Sequence, residues 1–135
     1  MRHLKTYKIF ESEIDIDDYI HGSCELFTLA MHEELGYDMY FLFDSQAYFE
    51  DTDSYDTALV HAYCKDSDGN MYDASGVIDE EYLENEFENN DPYTEKISDK
   101  EFRKLSNSGF IQKIKRTEVE LLRKYIKDNI EKYKK

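Results

Sequence analysis

Ser67-Asp68-Gly69 interrupts two runs of strand character, Ala58 to Cys64 ("ALVHAYC") and Asn70 to Ala74 ("NMYDA"), and no other local signal limits the fold of this 135-residue chain so tightly. Two such runs joined by a short glycine-containing turn read as a β-hairpin. Register then decides which side chains share a face, because a slip of one residue turns every side chain over. A three-residue loop with Gly69 left-handed, a common hairpin form, pairs Asp66 with Asn70. Tyr63 then lies opposite Asp73 and His61 opposite Ser75, which makes Asp73 the diagonal neighbour of His61 on one face. A two-residue Asp68-Gly69 loop sends Asp73 to the other face instead. His61 sits in an apolar run on the face of Leu59 and Tyr63, where a half-buried structural role is the ordinary expectation for a lone histidine.

A second signal lies upstream. The stretch "HGSCELFTLA" (His21 to Ala30) sets a cysteine behind Gly-Ser, where an apolar helical pattern begins. Ser23 can cap a helix that carries Leu26, Phe27, Ala30 and Met31 on one face and stops at Gly36. Cys24 would then be the first helical residue. A thiol attacks as thiolate, and the unpaired amides and dipole of a helix N-terminus, with a nearby imidazole, lower its pKa. Gly22 removes bulk beside the sulphur, and the Cys24 amide points out of the helix end as an oxyanion donor. Glu25 works against the thiolate. Among four histidines, His3 belongs to the N-terminal stretch, and His32 lies eight residues along the helix from Cys24, more than two turns away. His21 is near enough to reach the thiol or a substrate oxyanion.

The remaining pattern predicts an α+β chain: a cysteine-bearing N-terminal helix packed on a small antiparallel sheet, followed by C-terminal helices. "DMYFLFD" (Asp38 to Asp44) reads as a buried strand and residues 45–57 as a polar loop. Asp79 can cap a short acidic helix through about Glu88. Ser98 with Glu101, and Thr117 with Glu120, have capping-box spacing. Val119, Leu122, Tyr125, Ile126, Ile130 and Tyr133 form an amphipathic stripe over 117–134. Length favours one domain over 1–135. No apolar run of about 18 residues appears, and the first twenty residues lack a signal-peptide core, so a cytoplasmic protein with free Cys24 and Cys64 is expected.

Gly22-Ser23-Cys24 opening a helix, His61 on a strand, and Asp73 after a tight turn, followed by Ala74-Ser75-Gly76, resemble the papain-like cysteine hydrolase superfamily. The likeness spans about residues 20–78. It is closest to the transglutaminase-like and NlpC/P60-like branches, which pack a cysteine-bearing helix on an antiparallel sheet bearing His and a polar third residue. The resemblance implies a Cys24–His61–Asp73 triad in a protease, amidase, deamidase or transglutaminase. Cys24 would attack an acyl carbon, His61 would take and return the proton, and Asp73 would orient the imidazole. Papain-like proteases place an oxyanion glutamine shortly before the cysteine. Here that region reads Asp17-Asp18-Tyr19-Ile20-His21, so His21, with the backbone around Gly22 and Ser23, is left for oxyanion or substrate binding.

No metal or other cofactor is expected. His61 and Cys64 are an odd number of residues apart on a strand and face opposite ways, and neither cysteine belongs to a Cys-x-x-Cys pair. Charge supplies the alternative reading. The chain carries 17 basic and 31 acidic residues, a net of −14, unevenly spread. Residues 111–135 hold nine basic and four acidic residues, while Asp44 to Glu95 holds sixteen acidic residues and Lys65 as the one basic residue. Such a surface repels nucleic acid and anionic membrane and attracts basic partners. A non-catalytic acidic protein that docks a basic or nucleic-acid-binding partner, for example a phage anti-defence inhibitor mimicking nucleic acid, is the competing expectation to an enzyme acting on an acyl or amide substrate.

Overall fold

A computed structural model describes residues 14–135. Helices α1 (Ile16–His21) and α2 (Cys24–Leu35) precede two long strands, β1 (Asp38–Phe49) and β2 (Ser54–Lys65). Short strands β3 (Met71–Asp73) and β4 (Gly76–Ile78), helix α3 (Glu80–Glu86) and strand β5 (Pro92–Ile97) follow. Helices α4 (Asp99–Asn107) and α5 (Arg116–Asp128) and a 3-10 turn (Ile130–Tyr133) complete the chain. The strands form one antiparallel sheet in the order β4-β3-β2-β1-β5. The fold is therefore α+β, with the Cys24 helix packed on the sheet and helices after it.

Two apolar clusters divide the sheet. On one face α2 lies between the sheet and α5, where Phe27, Ala30 and Met31 meet Phe41, Ala62, Cys64 and Tyr72 on one side and Leu122 and Ile126 on the other. Being covered from both sides, α2 is buried without a break from Cys24 to Met31, not along one stripe as expected. The other face carries Leu42, Tyr63, Met71 and Ile78 under Leu83 and Phe87.

The β2–β3 hairpin takes the three-residue loop. Cys64 pairs with Tyr72 and Lys65 with Met71. Gly69 is left-handed at φ 86°, the amide of Asp66 donates to the Asn70 carbonyl at 3.0 Å, and that of Gly69 donates to the Asp66 carbonyl at 3.1 Å. The Asp66 carboxylate accepts from the amides of Asp68 and Asn70 and from the Tyr72 hydroxyl, pinning the turn from inside. The C-terminus then clamps the next turn. Tyr133 donates its hydroxyl to the Ala74 carbonyl at 2.7 Å, and Gly76, at φ 114°, lets the Lys132 carbonyl approach so closely that a Cβ there would sit 3.2 Å from it.

Several elements differ from expectation. Residues 45–57 are mostly strand, not loop: Ala47 pairs with Asp56, Tyr48 with Tyr55 and Phe49 with Ser54, leaving only a tight turn. Neither face of this arm is buried, so its sequence lacks the apolar alternation that announces a strand. Strand β5 is hidden for the same reason, since only Ile97 of its six residues is buried. The helix expected over 117–134 ends at Asp128 and tightens into the 3-10 turn, which swings Tyr133 into the core. It starts at Arg116 without a side-chain cap, and Glu120 binds Arg116 instead of closing a box with Thr117. The Ser98–Glu101 box is present, as is the Asp79 cap of α3, which ends at Glu86.

Candidate active site

The hairpin register brings Asp73 to His61. Nε2 of His61 lies 2.8 Å from Oδ2 of Asp73, and both residues are buried. The other Asp73 oxygen accepts from the Ser75 amide at 2.8 Å and from the Ser75 hydroxyl. Burial works to raise the Asp73 carboxyl, but the hydrogen bonds from His61 and Ser75 outweigh it and hold the carboxyl below its ordinary value. An ionised Asp73 can only accept, so Nε2 carries the shared proton, and in the neutral ring the lone pair sits on Nδ1. That Nδ1 is the one buried side-chain nitrogen or oxygen without a hydrogen-bond partner among the described residues.

A bulge decides where the imidazole points. Leu42 pairs with His61 but Phe43 with Leu59, leaving Val60 as the extra residue. His61 therefore shares a face with Tyr63 as expected, while Leu59 turns into the α2 cluster. Phe87 covers the imidazole with its ring parallel, 4.1 Å between centroids. The same ring touches His21 at 5.7 Å and meets Tyr82 edge-on. Burial pushes the Tyr82 phenol up to about 12.

Cys24 is the first residue of α2, and Ser23 is the cap position but makes no side-chain cap bond. The amides of Gly22 and Ser23 both donate to the Asp18 carbonyl, which folds α1 back against the start of α2. Glycine suits this approach, because a Cβ at Gly22 would lie a tight 3.1 Å from that carbonyl. The Cys24 thiol is not activated at rest, contrary to the expected effect of the helix terminus. Burial and the adjacent Glu25 push it up to about 12, against the pull of the Ala62, Cys24 and Glu25 amides that face the sulphur. Ala62 is the residue after His61; the imidazole lies with Tyr63 and Phe87 and the sulphur with the α2 cluster, so the two approach neighbouring residues of β2 from different clusters. Among the described residues no hydrogen bond joins Cys24 to His61.

Cys24 opens onto a cleft of about 490 Å³ walled by His21, Gly22 and Glu25 on one side and by Phe49, Phe110 and Gln112 on the other. Neither His61 nor Ser23 lines it. Glu25 is 6 % exposed and accepts a hydrogen bond from the Gln112 side chain. Burial raises its carboxyl above the ordinary value, with Gln112 and the His61 imidazole pulling the other way. Sequence reasoning treated Glu25 only as a hindrance to the thiolate and missed Gln112 and Phe87. Gln112 is 87 residues from its partner, and no local pattern announces such a contact.

The other polar groups are structural. The Cys64 thiol donates to the Thr28 carbonyl on the α2 side, and burial pushes it up. His32 bridges the Tyr37 carbonyl and Asp99, and His3 lies outside the described residues. Both cysteines are free thiols. The described residues bring no three His, Cys, Asp or Glu side chains together as a metal site, and no helix among them is long and apolar enough to cross a membrane. Comparison of the chain with known protein families, with curated proteins and with solved structures found no match.

Proposed function

We propose that this α+β protein is a cysteine hydrolase or acyltransferase of papain-like type, with Cys24 as nucleophile, His61 as base and Asp73 as the group that orients it. One observation carries the reading: a buried His61–Asp73 pair leaves Nδ1 unpartnered, one residue before the strand amide that faces the Cys24 sulphur. A buried polar atom without a partner costs about 1–3 kcal/mol, and such groups concentrate where a reaction uses them. With substrate bound, the Cys24 thiol gives its proton to Nδ1 as sulphur bonds to the acyl carbon. His61 returns that proton to the leaving amine as the carbon–nitrogen bond breaks. Water, or a second amine, then attacks the thioester while His61 takes its proton, releasing acid or new amide and restoring the thiol. His21 borders the cleft beside the sulphur, where an oxyanion would develop, whereas the Gly22 and Ser23 amides expected to serve there are taken by the Asp18 carbonyl.

The test is acylation of Cys24 by a panel of activated esters, followed by intact mass with hydroxylamine to confirm a thioester. The adduct is expected in wild type, absent in Cys24→Ala, and about 100-fold slower in His61→Ala, the scale of general-base catalysis. Equal rates with and without His61 would retire the triad.

A second reading has its own support. The β1–β2 arm exposes Tyr48, Phe49 and Tyr55 among Glu50, Asp51, Asp53 and Asp56, a surface suited to a basic protein partner. Binding of a poly-lysine peptide that is lost on reversing arm charges and indifferent to Cys24→Ala would favour an acidic inhibitor over an enzyme.

A further inference from the structure

Among the described residues that wall the Cys24 cleft, Glu25 is the only Asp, Glu, Lys or Arg. It is almost fully buried, yet its one side-chain hydrogen-bond partner among the described residues is a neutral carboxamide, that of Gln112. Buried carboxylates are ordinarily matched by a cation or by several hydrogen-bond donors, as Asp44 is by the amides of Gln46, Asn90 and Asp91, whereas Glu25 has a single side-chain donor. Among the described residues no Lys or Arg forms an ion pair with Glu25. Residues 44–64, which supply the arm and one cleft wall, contain no Lys or Arg. At the rim, Phe49 is 40 % and Phe110 41 % exposed, offering apolar and π surface to an alkyl stem ending in a positive group.

Building on the hydrolase reading above, we propose that Glu25 is the specificity residue of this site and that the substrate is a peptide or amide bearing Lys or Arg beside the reacting carbonyl. The ammonium or guanidinium takes the place on Glu25 that the Gln112 carboxamide holds in the free protein. Because Glu25 directly follows Cys24, a cation bound there fixes the neighbouring carbonyl at the sulphur. It also cancels the negative charge that disfavours the thiolate, so a matching substrate helps to activate its own nucleophile. Acidic groups of the same arm, Glu50, Asp51 and Asp56, draw such a substrate toward the cleft.

The experiment uses four tripeptide chloromethyl ketones that differ only in the residue next to the electrophile: Lys, Arg, norleucine or Glu. The rate of Cys24 labelling is read by mass spectrometry on the full chain. Lys and Arg are expected to label wild type at least about tenfold faster than norleucine, as a charge-assisted hydrogen bond implies. Glu25→Gln should bring that ratio to about one, and Gln112→Ala, which frees the carboxylate, should widen it. The norleucine rate reports whether each variant keeps an intact site. A ratio near one in wild type, or a ratio unchanged by Glu25→Gln, overturns the cation subsite while leaving the nucleophile standing. A Glu25-dependent ratio together with absolute labelling rates that ignore His61→Ala keeps the subsite and retires the base. No labelling of Cys24 by any of the four overturns both.

Discussion

Nε2 of His61 and Oδ2 of Asp73, on neighbouring strands and twelve residues apart, meet at 2.8 Å because Gly69 turns left-handed in the loop between them. The contact depends on turn chemistry at a distance. Gly69→Ala places a Cβ at φ 86°, a conformation that costs an L-residue about 1–2 kcal/mol. The variant should lose that much stability in urea denaturation, and the His61 imidazole resonances should shift if the turn relaxes toward the two-residue form.

Asp73 links the pair to pH. Its folded-state carboxyl lies below the ordinary value, so its stabilising contribution is complete above the unfolded pKa of about 3.9 and fades as pH falls through the depressed folded value. Urea midpoints of wild type and Asp73→Asn, compared at neutral pH and near pH 3, should converge at the acid end. A gap that stays constant would count against an ionised Asp73.

Glu25 has the opposite sign. Burial raises its carboxyl, so the folded state prefers the protonated form and this residue weakens the fold at neutral pH, an effect relieved as pH drops through the raised value. Glu25→Gln should therefore raise the melting temperature at pH 7. It should also lower the Cys24 thiol pKa from about 12, seen as faster iodoacetamide alkylation at pH 8 to 9 in a Cys64→Ala background.

Phe87 is the cover over the base. Phe87→Ala removes a 7 % exposed ring stacked on His61 and should cost about 3–5 kcal/mol, the usual range for deleting a buried phenylalanine. Phe87→Leu should cost much less. Imidazole solvent exchange measured by NMR should rise in the alanine variant, and an unchanged rate would mean that another group shields His61.

The acidic arm predicts the reverse pattern. Glu50, Asp51 and Asp56 are exposed, and none is paired with a described basic side chain, so reversing all three to Lys should change stability by less than about 1 kcal/mol. The same change should abolish binding to a poly-lysine peptide. A folding defect would show that the charges support the arm.

What could be read from the chain alone was whatever a few adjacent residues decide. The Ser67-Asp68-Gly69 turn, the Ser98–Glu101 box, the Asp79 cap and the Gly36 stop each rest on backbone dihedrals and side chains within three or four positions. Fold class and the two possible places for Asp73 followed from those signals. Tertiary structure chose between the places, inserted the bulge at Val60, paired the exposed arm, laid Phe87 over His61 and carried Gln112 to Glu25. These features are sums over remote neighbours. Desolvation in particular depends on everything packed around a group, so a helix terminus that lowers a thiol pKa in water stands beside a Cys24 held as a thiol by its burial and by the carboxylate next to it.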